Sequence, residues 1–214
     1  MKAYFISGIG ADYRLFTHIR LPRGYEPSYI HWIPPQPSET LPSYAHRLTD
    51  QIDTAEPFVL IGLSLGGIMA VEIAKHIKPV YTILISSVPL PAHFPKYYRL
   101  ARSLKAGHLV PATFLKMAAT IKHSLTMSPA NGRLMRKVIW AGDDKFIRWA
   151  INAVLEWQNN QIPHPIYHIH GTRDVVFPIS LTNPTHIVKK GGHMFLMSRP
   201  ELITELLEEI SAGH

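Results

Sequence analysis

One serine, Ser64, stands between Gly62 and Gly66 in the stretch VLIGLSLGGIMAVEIA (59–74), directly after an unbroken apolar run. The spacing is GxSxG, the pattern of a tight strand-to-helix turn that exposes a nucleophile. A plainer role fits as well, because glycines end strands and a serine caps the helix that follows. Chance alone produces such a match in on the order of one chain of this length in ten, so the choice rests on what else the chain supplies. A serine hydroxyl is a poor nucleophile at neutral pH; it needs a histidine to take its proton and a carboxylate to orient that imidazole. Asp174 in GTRD and His193 in GGH both follow later apolar runs, in the chain order Ser, Asp, His. Near the start, SGIGADYRLF (7–16) carries Gly8 and Gly10. These let the backbone turn toward the serine, so that the N–H of Ile9 joins that of Leu65 as a pair of donors where negative charge develops. The plainer reading of that loop is a flexible turn.

These residues need a frame to hold them. Short runs rich in β-branched and aromatic residues recur at 3–7, 28–33, 58–63, 80–86, 165–170 and 185–190 and read as strands. Helical patterns lie between and after them at 41–52, 65–77, 144–158 and 200–210. Alternation of this kind predicts an α/β fold, a three-layer sandwich with a mainly parallel sheet and helices on both faces. The central runs are apolar almost throughout, as strands covered on both faces should be. Ser198 and Glu201 have the spacing of a capping box for the last helix, with Pro200 in its first turn. Residues 88–142 break the alternation, offering several helical patterns and no convincing strand, and read as a helical insertion above the sheet. In an open parallel sheet ligands bind outside the carboxyl ends of the strands. Ser64, Asp174 and His193 all follow predicted strands there.

At 214 residues, with 46% hydrophobic and 17% charged side chains, the chain suits one domain with a sizeable core. The formal charge of +7 raises the question of nucleic acid, but Lys and Arg are scattered and read as a solvated basic face. No cysteine is present, which excludes disulfides and thiolate chemistry. Asp12 and Arg14 interrupt the early apolar stretch, so a cytoplasmic location is expected, and no apolar run reaches the roughly 20 residues of a membrane span.

Other residues have competing readings. His168 and His170 alternate in a predicted strand and share a face, which could suit a metal, but no matched third ligand is evident and packing with loop hydrogen bonds is the default. Asp143 and Asp144 precede a long helical pattern and read as its N-cap. Ser86 and Ser87 end a strand beside the presumed site, outside any nucleophile turn.

Taken together, SGIG (7–10), GLSLGG (62–67), GTRDVVFP (171–178) and GGHMF (191–195) make the chain resemble a compact α/β-hydrolase along its length apart from 88–142. The resemblance implies Ser64 as nucleophile, Asp174 as acid and His193 as base, with an oxyanion hole at Ile9 and Leu65. The family also places a cap over the pocket where residues 88–142 fall. Gly8, Phe94, Tyr98 and Phe114 are then the expected substrate contacts. Because the chain opens on the strand before the oxyanion loop, about six strands are expected, within the usual range for sheets. The implied activity is cleavage of a small-molecule carboxylic ester or thioester through an acyl-enzyme, without metal or cofactor. The same triad also serves C–C hydrolases and lyases, and the same fold serves small-molecule receptors.

Overall fold

The computed structural model describes residues 1–103, 113, 116, 117, 120 and 127–214; Phe114 lies outside them. Among these, β1 (Lys2–Ile6), β2 (Glu26–Ile30), β3 (Phe58–Leu63), β4 (Thr82–Ile85), β5 (Ile166–Gly171) and β6 (His186–Val188) form one sheet in the order β2-β1-β3-β4-β5-β6. Every neighbouring pair is parallel. The helices described over an unbroken range are α1 (Leu41–Leu48), α2 (Leu65–Ile73), α3 (Lys96–Ser103), α4 (Pro129–Ala141), α5 (Asp144–Glu156), α6 (Phe195–Ser198) and α7 (Pro200–Ser211). This is the expected three-layer α/β sandwich of six strands.

Alternation of side chains along each strand divides the core between the two faces of the sheet. Tyr4, Ile6, Leu60 and Leu84 point to one face and pack with α1, α2 and α5. Ala3, Phe5, Val59, Ile61, Ile83 and Ile85 point to the other and pack with residues of α4, α6 and α7. β3 and β4 are buried at every residue, so apolar side chains on both faces stabilise them, and their sequences run apolar without a break. All nine residues of α2 are buried too, which explains why that helix shows no polar stripe.

The edges depart from the sequence pattern. β2 stops at Ile30, three residues short of the apolar run, because side chains take over the next backbone donors: the His31 N–H donates to Gln51 and the Ile33 N–H to the Tyr44 hydroxyl. β6 keeps only three residues of its run. α2 ends at Ile73 and closes in tighter turns, with the Lys75 and His76 N–H groups donating to Glu72 and Ile73. The predicted capping box at Ser198 does not form. Residues 195–198 make a turn of helix of their own, Ser198 Oγ donates to the Phe195 carbonyl, and Arg199 stands before α7 without a side-chain cap. The Asp143 carboxylate does accept the Phe146 N–H at 2.7 Å and caps α5. Within 88–142 the described residues hold α3 and α4 and no strand; Met135, Val138 and Ile139 of α4 join the core of one face.

The chain leaves β1 toward β2 on one side, while β3 leads to β4 on the other, so the direction of winding switches between β1 and β3. Two loops diverge there above the carboxyl ends of adjacent strands, and a crevice results. The first turn of α2 lies against the end of β1 so closely that a Cβ on Gly66 would run into the Ile6 and Ser7 carbonyl oxygens, and one on Gly62 into the Gly66 carbonyl. Backbone lines both contacts, and no rotamer change can relieve them. Gly66→Ala is therefore expected to destabilise the protein by about 3 kcal/mol. Gly192→Ala, where a Cβ meets nothing within 4 Å, should change stability by no more than ~0.5 kcal/mol. Urea unfolding of the two variants beside the parent measures the contrast.

Candidate active site

Ser64 occupies the position before the first residue of α2 with φ 53° and ψ −117°, a conformation that L-residues adopt at a cost of roughly 1–3 kcal/mol. Its N–H donates to the Ile85 carbonyl at 2.9 Å, and its carbonyl accepts from the Ser87 hydroxyl at 2.7 Å and from the Gly67 N–H. The turn is thus braced by β4 beneath it. The side chain makes no capping hydrogen bond to α2, so the plainer reading of this serine fails. Its Oγ lies 2.9 Å from His193 Nε2 instead.

His193 follows β6 and Asp174 follows β5. His193 Nδ1 is 2.8 Å from Asp174 Oδ2, and the other oxygen, Oδ1, accepts the N–H groups of Val176 and Phe177 at 2.8 and 3.0 Å. Burial alone would raise the Asp174 pKa. The hydrogen bond and charge of His193, the Phe177 N–H and nearby His170 outweigh it and hold the carboxyl below its usual range. An ionised carboxylate can only accept, so the hydrogen between the two groups sits on Nδ1. In the neutral form of the ring, the lone pair of Nε2 then faces the Ser64 hydroxyl. Three residues spread over 129 positions meet in one hydrogen-bonded line.

The loop after β1 lies alongside. A Cβ on Gly8 would touch Ser64 Cβ at 3.6 Å. The loop is tied by the Ala11 carbonyl, which accepts from the buried Ser7 hydroxyl at 2.6 Å and from Trp32 Nε1 at 3.0 Å. Among the described residues, neither the Ile9 N–H nor the Leu65 N–H has a protein acceptor. Leu65 is the first residue of α2, where the helix presents the positive end of its dipole.

Phe94 and Tyr98 stack on one another at 4.9 Å between ring centroids and both lie near Phe177, whose ring is 5.8 Å from that of His193. Phe94 also packs against Trp157. These rings join the core and flank the His193 side of the site at once. Sequence reading missed Phe177, Trp32 and the strut at Ser87, whose partners lie at sequence separations that no local pattern reveals. Ser86, beside that strut, is buried with φ 47°, and its hydroxyl has no partner among the described residues.

His168 and His170 bond to each other, Nε2 to Nδ1 at 2.9 Å, and His170 Nε2 lies 2.7 Å from the Phe177 carbonyl. Among the described residues no group of three His, Asp or Glu side chains is arranged to hold a metal. No helix of the described residues is long and apolar enough to cross a membrane.

The sequence profile of the Alpha/beta hydrolase family matches residues 4–206. No curated protein sequence matches the chain. Among solved structures, an esterase from Thermogutta terrifontis superposes with a TM-score of 0.70 at 15% identity, covering 100% of this chain and 90% of its own. MenH from S. aureus superposes at 0.72 with 17% identity, covering 98% and 94%, and a bromoperoxidase from Bacillus anthracis at 0.67 with 16% identity, covering 96% and 90%. At these identities the likeness speaks to the fold.

Burial, aided by the charge of His170, pushes the His168 imidazole down to about 3, whereas an unfolded histidine titrates near 6.5. The unfolded chain therefore binds a proton that the folded one refuses. Stability from this group is complete above about pH 6.5 and declines as pH falls toward 3, by about 1.4 kcal/mol for each pH unit. Urea midpoints at pH 8, 6 and 4.5 should show the loss, and His168→Gln, which does not titrate, should flatten it by one proton. An unchanged slope would mean that His168 is protonated in the folded state.

Proposed function

Because the chain belongs to the alpha/beta hydrolase family, we propose that it is a serine hydrolase that cleaves a carboxylic ester or thioester through an acyl-enzyme on Ser64. The observation that carries this reading is the line Ser64 Oγ to His193 Nε2 at 2.9 Å and His193 Nδ1 to Asp174 Oδ2 at 2.8 Å. Ser64 Oγ attacks the acyl carbonyl while His193 Nε2 takes its proton, and Asp174 stabilises the resulting imidazolium. The carbonyl oxygen becomes an oxyanion between the N–H groups of Ile9 and Leu65, at the positive end of α2. Collapse breaks the bond to the alcohol or thiol, which leaves with the proton from His193. Water then attacks the acyl-enzyme, giving its proton to the same nitrogen, and the acid is released as Ser64 regains its hydrogen.

Residues 88–142 act as a cap on this reading, with Phe94 and Tyr98 shaping the acyl pocket beside Phe177; Phe114 belongs to the same proposal. Support comes from the aromatic stack between α3 and the ring packed on His193. The fold itself does not choose the substrate, since structures similar to it include an esterase and a bromoperoxidase.

Ser64→Ala should abolish labelling by a fluorophosphonate and lower turnover of an activated ester on the order of 10⁴-fold or more. Undiminished labelling at another serine would sink the assignment, and stoichiometric ligand binding without turnover in the parent would indicate a receptor. Asp174→Asn should keep the fold and lower kcat by roughly 10² to 10⁴ with little rise in KM, since orientation of the base is needed only in the transition state. Phe94→Leu and Tyr98→Leu should shift preference across a series of acyl lengths, while exposed Lys78→Ala should not. A profile unchanged in folded variants would remove the cap from substrate choice.

A further inference from the structure

Directly behind Asp174 lies a buried polar group that the proposed mechanism does not use. His170, in β5 four residues before the carboxylate, is fully buried. Its Nε2 faces two oxygens, the Phe177 carbonyl at 2.7 Å and Asp174 Oδ2 at 3.5 Å. Both can only accept, so Nε2 carries the hydrogen. The lone pair of a neutral ring is then on Nδ1, which faces His168 Nε2 across 2.9 Å. The Phe177 residue is gripped at both ends: its N–H holds Asp174 Oδ1 and its carbonyl is held by His170. Oδ2 is left facing His193 Nδ1, with the His170 N–H behind it.

Space filling alone does not account for this pair. Two imidazoles removed from water cost free energy that an apolar ring of similar size would not. What an imidazole adds at position 170 is a directed N–H beside the carboxylate. We propose that His170 is a positioning residue for Asp174, holding the 174–177 turn and the carboxylate so that Oδ2 stays turned to His193, with His168 fixing the ring of His170. The proposal rests on the serine hydrolase reading above. The titratable groups facing His170 are His168, Asp174 and His193, and His93 faces His168.

The test uses the full chain and an activated ester. His170→Leu removes the donor, whereas His170→Gln returns an amide N–H near the place of Nε2. For the leucine variant kcat should fall about tenfold with KM little changed, short of the roughly 10² to 10⁴ expected for Asp174→Asn. Glutamine should recover most of the lost kcat. In an Asp174→Asn background, His170→Leu should cost nothing further, since residues acting as one unit are not additive. Equal losses in both backgrounds, or a glutamine variant as poor as leucine, would make His170 a packing residue and overturn the proposal. If leucine does not fold, His170→Asn, too short to reach the Phe177 carbonyl, gives the same comparison. Ser64→Ala that still turns over ester would instead overturn the hydrolase reading itself, so the two failures are told apart.

Discussion

There is no room for a side chain between the first turn of α2 and the end of β1. The Gly66 backbone meets the carbonyls of Ile6 and Ser7 directly, and Gly62 meets the same turn from below. This contact brings the start of a fully buried helix under the loop that follows β1. It also fixes where Ser64 must stand. A residue with a φ of 53° persists only when its surroundings leave no alternative; here the Ile85 carbonyl, the Ser87 hydroxyl and the glycine contacts supply that constraint. The strand register completes it, since Ile6 pairs with Gly62 across β1 and β3. The distance between Ser64 and the loop at Gly8 is thereby governed by the spacing of two neighbouring strands more than by the conformation of either loop.

How much of this could be read beforehand depended on whether the cause was local. Ser64, Asp174 and His193 stood out because each sits in a short turn with its own glycine pattern, after a run of apolar residues that announces a strand. The central strands were equally legible: burial on both faces demands apolar residues at every position, and β3 coincides with its run. Legibility failed where distant partners decide. The sequence of β2 continues apolar to Ile33, yet Gln51 and Tyr44 claim its backbone donors. Ser198 has the right neighbours for a cap, yet the preceding turn of helix occupies it. The loop after β1 is held by the Ser7 hydroxyl and Trp32 Nε1, which meet at the Ala11 carbonyl. No periodicity or motif connects residues 11 and 32.

His168 and His170 illustrate the same limit in chemistry. Two histidines on one strand face resemble a metal site on paper, because spacing gives proximity but not what the nitrogens already bind. In the folded chain they bond to each other and to the Phe177 carbonyl, and burial keeps both imidazoles from taking protons readily. The chain ends on the Phe177 carbonyl, with Asp174 Oδ2 3.5 Å from the same His170 nitrogen.

The two halves of the site are supported unequally. Ser64 rises from β3, at the centre of the sheet, while His193 follows β6, an edge strand of three residues with one neighbour. Short peripheral strands open locally at a lower free energy than a sheet's interior. Heating should therefore detach the imidazole from its partners while β1, β3 and β4 remain intact. Such opening would part His193 from Ser64 before the centre of the sheet gives way, and a graft that lengthens β6 would oppose it.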